Sequence, residues 1–171
     1  MHWSALVILA WLAGAFITAL WYLFTFMAMR RLTTVSTGAG FRLESVARSI
    51  ACRMGLKSRF KLRISVRVAA GVTTGVFKPV IILPSSSAGW SEEKLELVLT
   101  HELAHVMRRD GIIELLVNTA TVLHWFNPLA WLAARRIRIE RERDCDNAVL
   151  NSGIKPSEYA DGSICIVLSL I

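Results

Sequence analysis

Residues 91–109 read SEEKLELVLTHELAHVMRR, and the rest of the chain is best understood from this stretch outward. Ser91 is a typical N-cap residue, and the two glutamates that follow it suit the positive end of a helix dipole. Apolar residues recur at helical spacing through the middle, and two arginines suit the negative end. This pattern predicts an α-helix that begins at Ser91 and runs to about Arg108.

The centre of this helix carries the sequence His101-Glu102-Leu103-Ala104-His105. A separation of four residues places both imidazoles on one helical face, where both can bind a single zinc ion at about 2.0–2.1 Å. Glu102 adjoins the first histidine and can take a proton from a zinc-bound water. The motif predicts a zinc-dependent hydrolytic site with Glu102 as general base. Two surface histidines are the alternative, which the apolar neighbours of the motif disfavour.

A catalytic zinc site needs three protein ligands and one open position, so the two histidines require a third ligand. Four acids near the end of the chain are candidates: Glu140, Glu142, Asp144 and Asp146. Glu142 and Asp146 lie four residues apart and share a helical face, so one could bind zinc while the other hydrogen-bonds a ligand histidine. The alternative is that all four acids pair with neighbouring arginines on a solvated surface.

The remaining histidines are His2 and His124. His2 lies at the far end of an apolar segment, which excludes it from the site. His124 has two interpretations. It either supports the zinc site, as a partner of a ligand or of the oxyanion, or it packs beside Trp125.

Residues 3–29 contain no charged side chain, and a stretch of this length exceeds the ~20 residues that cross a bilayer as a helix. Arg30 and Arg31 follow directly, whereas no Lys or Arg precedes the segment. The positive-inside rule therefore places the C-terminal side in the cytoplasm. We expect a transmembrane helix over 3–29, a linker over 30–40 and a folded domain over 41–160.

The charge and cysteine content narrow the class of protein further. The net charge is +7, and ten Lys or Arg lie between Arg30 and Arg67 against one acid. This basic block directly follows the apolar segment and carries no nucleic-acid-binding motif, so it favours a membrane surface over direct nucleic-acid binding. Three cysteines at irregular spacing match no disulfide framework and indicate reduced thiols.

Two strands and three further helices are predicted around the motif helix. Residues 61–68 alternate between apolar and polar side chains, which predicts a half-buried strand. Val80, Ile81, Ile82 and Leu83 form a short apolar strand between two prolines, which is typical of a sheet edge. Such an edge either binds an extended peptide by strand addition or is a plain edge strand. The helices are predicted over 41–54, 112–124 and 128–150.

The ordered series of motifs resembles the membrane metallopeptidase domain of BlaR/MecR-type bacterial receptors. The series consists of FKPVIILP at 77–84, HELAH at 101–105, RRD at 108–110, HWFNP at 124–128 and ERDCD at 142–146. The resemblance covers roughly residues 43–159 and implies an α+β fold. It implies a mainly helical, gluzincin-like domain with a small antiparallel sheet after a transmembrane helix.

The resemblance also implies roles for individual residues. Glu142 becomes the third zinc ligand, Asp146 becomes the hydrogen-bonding partner of a ligand histidine, and Glu102 keeps its role as general base. The family uses such domains to cleave a cytoplasmic repressor, or themselves, after an external signal. We expect the chain to be partial, with the apolar segment 161–171 as the start of a truncated helix.

These observations favour a zinc endopeptidase in the plasma membrane whose peptidase domain faces the cytoplasm. The expected partners are a protein or peptide substrate, such as a transcriptional repressor, membrane lipid and a second copy of the chain. One alternative is a signalling module whose structural zinc is closed by His124 or Asp146 as a fourth ligand. Another is a membrane quality-control protease with the same zinc chemistry.

Overall fold

The computed structural model describes residues 3–151. A mainly helical chain surrounds one small sheet, and the predicted α+β class is confirmed. The helices are α1 (Trp3–Val35), α2 (Phe41–Arg53), α3 (Glu92–Met107), α4 (Asp110–Leu123) and α5 (Pro128–Asn151), and the strands are β1 (Thr37–Gly38), β2 (Lys61–Ser65), β3 (Val72–Thr74) and β4 (Val80–Pro84). The predicted apolar segment 161–171 lies outside the described residues.

The sheet has the order β1-β2-β4-β3, and β2 pairs with β4 in parallel. It is therefore a mixed sheet, and the prediction of a purely antiparallel one is wrong. The prediction that Val80, Ile81, Ile82 and Leu83 form a sheet edge is also wrong, because β4 pairs with β2 on one side and β3 on the other. The two prolines mark only the ends of β4, where a missing N–H costs little.

The hydrophobic core lies between this sheet and helices α2 and α3. Ile81, Leu95, Leu99 and Leu103 are fully buried there, and Val149 brings the end of α5 into the same cluster. The Ser91 hydroxyl accepts a hydrogen bond from the Lys94 amide, which confirms the predicted N-cap. The middle of α3 is consequently held on several sides, and the motif that it carries has little freedom to move.

The segment 30–40, predicted as a linker, is folded instead. Helix α1 continues to Val35, and Thr37–Gly38 pair with β2 as β1. The Arg63 guanidinium ties the two together, since it donates to the carbonyls of Thr33 and Ser36 at 2.8 and 2.9 Å. Helix α1 is long and apolar enough to cross a membrane, and most of its side chains are exposed.

Helices α3, α4 and α5 follow one another through two sharp turns. Arg109 adopts a left-handed conformation with φ 57°, which turns the chain from α3 into α4. A break at residues 124–127 then reverses the direction, and α5 packs against both α3 and α4. As a result, the start of α4 and the second half of α5 both lie beside the histidines of α3.

Candidate active site

His101 and His105 face each other across one turn of α3, with their Nε2 atoms 3.3 Å apart. The Glu142 carboxylate approaches from α5. Its Oε2 lies 3.6 Å from the Nε2 of His101 and 3.8 Å from the Nε2 of His105. The three residues expected to bind metal are thus brought together by two helices.

These three atoms fit a zinc ion in spacing and in chemistry. Ligands at about 2.0–2.1 Å in a tetrahedral site lie about 3.3–3.5 Å from one another, close to the observed separations. Two imidazoles and one carboxylate are also the donor set of catalytic zinc sites that retain an open position. Within residues 3–151, no other Cys, His, Asp or Glu joins this group of three.

Each histidine has a carboxylate behind it, at the nitrogen that faces away from Glu142. Asp146 Oδ1 lies 3.2 Å from the Nδ1 of His101, the kind of partner that the resemblance implied for this residue. Asp110 Oδ2 accepts a hydrogen bond from the Nδ1 of His105 at 2.7 Å. Such carboxylates fix the orientation of the ring and leave Nε2 as the free metal-binding atom.

Asp110 was not predicted to take part in the site. It lies five residues after His105, beyond the left-handed turn at Arg109 that brings it back under the imidazole. The carboxylate is buried, and Arg108 and Arg141 lie 3.7 and 3.4 Å from its oxygens. The signal in the sequence was the RRD motif at 108–110, to which spacing alone assigns no role.

Glu102 is buried beside the histidines and contacts β3. Its Oε2 accepts a hydrogen bond of 2.6 Å from the Thr73 hydroxyl. Burial raises the pKa of Glu102 because the charged carboxylate loses solvent, and the Thr73 hydrogen bond and the two histidines partly oppose that increase. Thr73, which the sequence analysis did not single out, therefore sets the orientation of the predicted base.

The carboxylates around His101 favour its charged form. Burial lowers the pKa of His101, but the Asp146 and Glu142 carboxylates outweigh that effect and raise it to about 10. The nearby His101 imidazole in turn lowers the pKa of Glu142. The site thus concentrates negative charge around its histidines, which suits a divalent cation.

Cys145 lies behind His105, where its Sγ is 3.3 Å from Nδ1. It is fully buried. Burial raises the pKa of the Cys145 thiol to about 12, so the group stays neutral at physiological pH. A metal bound at Cys145 would need the thiolate, and His105 already uses Nδ1 for Asp110. The Nε2 side of the histidines is therefore the better metal site.

His124 and two of the acids are not brought to the site. His124 is the C-cap residue of α4, where its Nδ1 lies 3.1 Å from the Ala120 carbonyl oxygen. The length of α4 separates it from Asp110 by about 20 Å. Glu140 pairs with Arg136 and Arg143, and Asp144 pairs with Arg108, as expected for a solvated face.

Comparisons with known proteins identify the family of this chain. The model of the BlaR1 peptidase M56 family matches residues 1–166. The regulatory protein BlaR1 of Bacillus licheniformis is 34% identical over 100 residues, which cover 58% of this chain and 17% of that protein. BlaR1 of Staphylococcus aureus is 30% identical over 83 residues (48% and 14%), and the methicillin resistance mecR1 protein of the same species is 31% identical over 77 residues (44% and 13%). The matched part thus spans less than a fifth of the length of these curated relatives.

Proposed function

This chain belongs to the BlaR1 peptidase M56 family, and we propose that it is a membrane-anchored zinc endopeptidase. The observation that carries the proposal is the convergence of His101 Nε2, His105 Nε2 and Glu142 Oε2 within 3.8 Å of one another. A buried Glu102 on the same helix supplies the base that a hydrolase needs.

Each residue of the site has a separate role in peptide hydrolysis. His101, His105 and Glu142 would hold zinc, which when bound polarises a carbonyl and lowers the pKa of water. Glu102 takes a proton from the attacking water and passes it to the leaving amine. Thr73 keeps the Glu102 carboxylate oriented, while Asp110 and Asp146 hold the imidazoles with Nε2 inward.

Strand β3 is the better candidate for the substrate edge. Among the described strands, β3 ends the sheet on this side, and its Thr73 contacts Glu102. A peptide that adds to β3 as an extended strand would pass next to the base. We therefore assign the substrate-binding edge to β3 and not to Val80–Leu83 in β4.

Two observations favour catalysis over a structural zinc site. A structural site is closed by a fourth protein ligand, for which the sequence offered His124 or Asp146. His124 lies at the other end of α4, and Asp146 faces the Nδ1 of His101, away from the other two ligand atoms. The remaining coordination position would thus be available to water.

The relatives suggest the biological setting of this activity. Because they are regulatory proteins, we propose that the substrate is a cytoplasmic regulator such as a repressor, or the protein itself, cleaved after a signal. Helix α1 anchors the chain in the plasma membrane, and the arginines after residue 29 orient the peptidase domain towards the cytoplasm. Lipid and a second copy of the chain complete the proposed partners.

The test is to compare zinc content and proteolysis in the wild type and two variants purified in detergent. We expect Glu102→Gln to keep about one zinc per chain and to lose about 10²–10⁴-fold in kcat for self-cleavage or casein cleavage. Glu92→Gln, at the exposed start of the same helix, should behave as the wild type. Full activity in Glu102→Gln would refute the peptidase proposal and leave a structural zinc module as the better account.

A further inference from the structure

Helices α4 and α5 form a hairpin whose tip is apolar and uncharged. Residues 115–134 read LLVNTATVLHWFNPLAWLAA, without an Asp, Glu, Lys or Arg. The large apolar side chains exposed along it are Leu115, Leu116, Leu123, Phe126, Leu129, Trp131 and Leu132. An exposed apolar surface of this size is unfavourable in water, which indicates that a less polar environment covers it.

The tip of this hairpin packs on the middle of α1. Trp125 lies directly against Gly14, where a Cβ would overlap its indole ring. The Trp11 indole donates to the Leu123 carbonyl at 3.3 Å, and the Trp125 indole donates to the Trp11 carbonyl at 3.1 Å. The hairpin tip therefore stays at the level of Trp11 and Gly14.

That level is deep in any membrane that α1 crosses. At 1.5 Å per residue, Trp11 lies about 28 Å along the helix from Arg30 and about 16 Å from Tyr22. The hydrocarbon layer is about 30 Å thick, so with the interface at the aromatic Tyr22 the tip lies near the middle of the layer. The α4 limb of the hairpin is about 14 Å long and the α5 limb about 10 Å, so both are too short to cross the membrane.

The polar groups of the hairpin are paired as a low-dielectric medium requires. The side chains of Thr119, Thr121 and His124 bond to carbonyls one turn earlier in α4. Asn127 accepts from the Leu129 amide, and the Trp131 indole donates to the Trp125 carbonyl.

The base of the hairpin is closed by charges that pair with one another. Asn118 is the polar side chain of the stretch nearest to this base, and it accepts a hydrogen bond from Arg138 at 3.0 Å. Arg138 and Arg141 both donate to Glu114, one residue before the uncharged stretch begins. The charged groups thus start where the apolar surface ends.

We propose that residues 115–134 are a re-entrant hairpin embedded in the hydrocarbon layer beside α1. The hairpin enters from the side that carries the peptidase domain and turns back at residues 124–127. Because Asp110 precedes the hairpin by only five residues, the insertion fixes the site at the membrane surface. This inference rests on α1 crossing the membrane and not on the peptidase activity.

The test is depth-dependent fluorescence quenching in liposomes that contain the full chain. Single cysteines at Phe126→Cys and Leu129→Cys, in a Cys52→Ser, Cys145→Ser, Cys165→Ser background, are labelled with bimane. Ile17→Cys on α1 is the matched control for lipid exposure, and Val66→Cys, 84% exposed after β2, is the control for water. Lipids with a doxyl group on the acyl chain should remove most of the fluorescence at Phe126, Leu129 and Ile17, but not at Val66.

Charged, membrane-impermeant maleimides give the complementary readout on the same cysteines. We expect slow labelling at the two hairpin positions and fast labelling at Val66→Cys in permeabilised vesicles. Fast labelling without lipid quenching at the hairpin, together with quenching at Ile17→Cys, would overturn the proposal. Slow labelling without quenching, with cross-linking between chains, would overturn it in favour of a contact between two copies. Absence of quenching at all three apolar positions would refute both the insertion and the membrane span.

Discussion

Among the charges in the site, the proton on the His101 imidazole matters most for zinc binding. It lies between Asp146 and Glu142, which raise its pKa to about 10 against the opposing effect of burial. Below that pH the imidazole keeps its proton, and zinc can bind only when the proton leaves. A raised histidine pKa thus means that zinc affinity increases with pH throughout the neutral range.

We predict that zinc binding at pH 7 releases about one proton per chain from His101. Between pH 6 and 8, the apparent affinity should rise about tenfold per pH unit for each proton displaced. Isothermal titration calorimetry in two buffers of different ionisation enthalpy measures the released protons directly. Asp146→Asn removes a carboxylate that holds the proton, so it should release fewer. A binding enthalpy that is the same in both buffers would contradict the prediction.

The contact between helix α3 and the segment before strand β3 positions the catalytic base, Glu102. A Cβ built on Gly71 would lie 2.8 Å from Glu102 Oε1 and 3.0 Å from Val98 Cγ1. Because Glu102 is buried and hydrogen-bonded to Thr73, the carboxylate cannot move aside without losing its partner. The absence of a side chain at Gly71 is therefore part of how the fold places Glu102.

Gly71→Ala should accordingly lower kcat while zinc stays bound. A displacement of the carboxylate by about 1 Å is expected to cost about 10²-fold in kcat. Gly40→Ala is the matched control, since a Cβ there meets no atom within 4 Å and should leave activity unchanged. Measurements of kcat and zinc content on both variants test this prediction. Loss of zinc from Gly71→Ala would show that the substitution disturbs the helix rather than the base.

Local signals predicted the helices well and the sheet poorly. The caps and spacing around α3 were sufficient, because a helix is held by bonds between residues four apart. The position of β4 in the sheet depends on β2 and β3, which pair with it from elsewhere in the chain. Prolines at its ends carry no information about those partners, and the composition of residues 30–40 did not reveal that Arg63 binds them.

The same distinction applies to the site. His101, Glu102 and His105 could be predicted because they occupy one helix with a fixed period. Asp110 could not, because it reaches His105 only through the left-handed turn at Arg109. Thr73 depends on the packing of β3 against α3, for which the sequence offers no local pattern.

Across the whole molecule, a single metal ion would join helices that are distant in sequence. Its histidines belong to α3, its carboxylate belongs to α5, and α4 supplies Asp110 behind His105. Since the hairpin of α4 and α5 also packs on α1, the proposed site is connected to the membrane helix through the same two elements. Metal binding should therefore stabilise the assembly of helices as well as the site.

We predict that zinc raises the melting temperature of the wild type in detergent. At a free zinc concentration of 100 times Kd, binding contributes about 2.7 kcal/mol to the free energy of unfolding. For a chain of this size that corresponds to a rise of about 5–10 °C. Glu142→Gln should lose most of the rise because α5 no longer binds the metal. Glu140→Gln, two residues earlier on the same helix and paired only with arginines, should keep it. An equal rise in both variants would show that zinc binds without Glu142, and α3 and α5 would then be held together by packing alone.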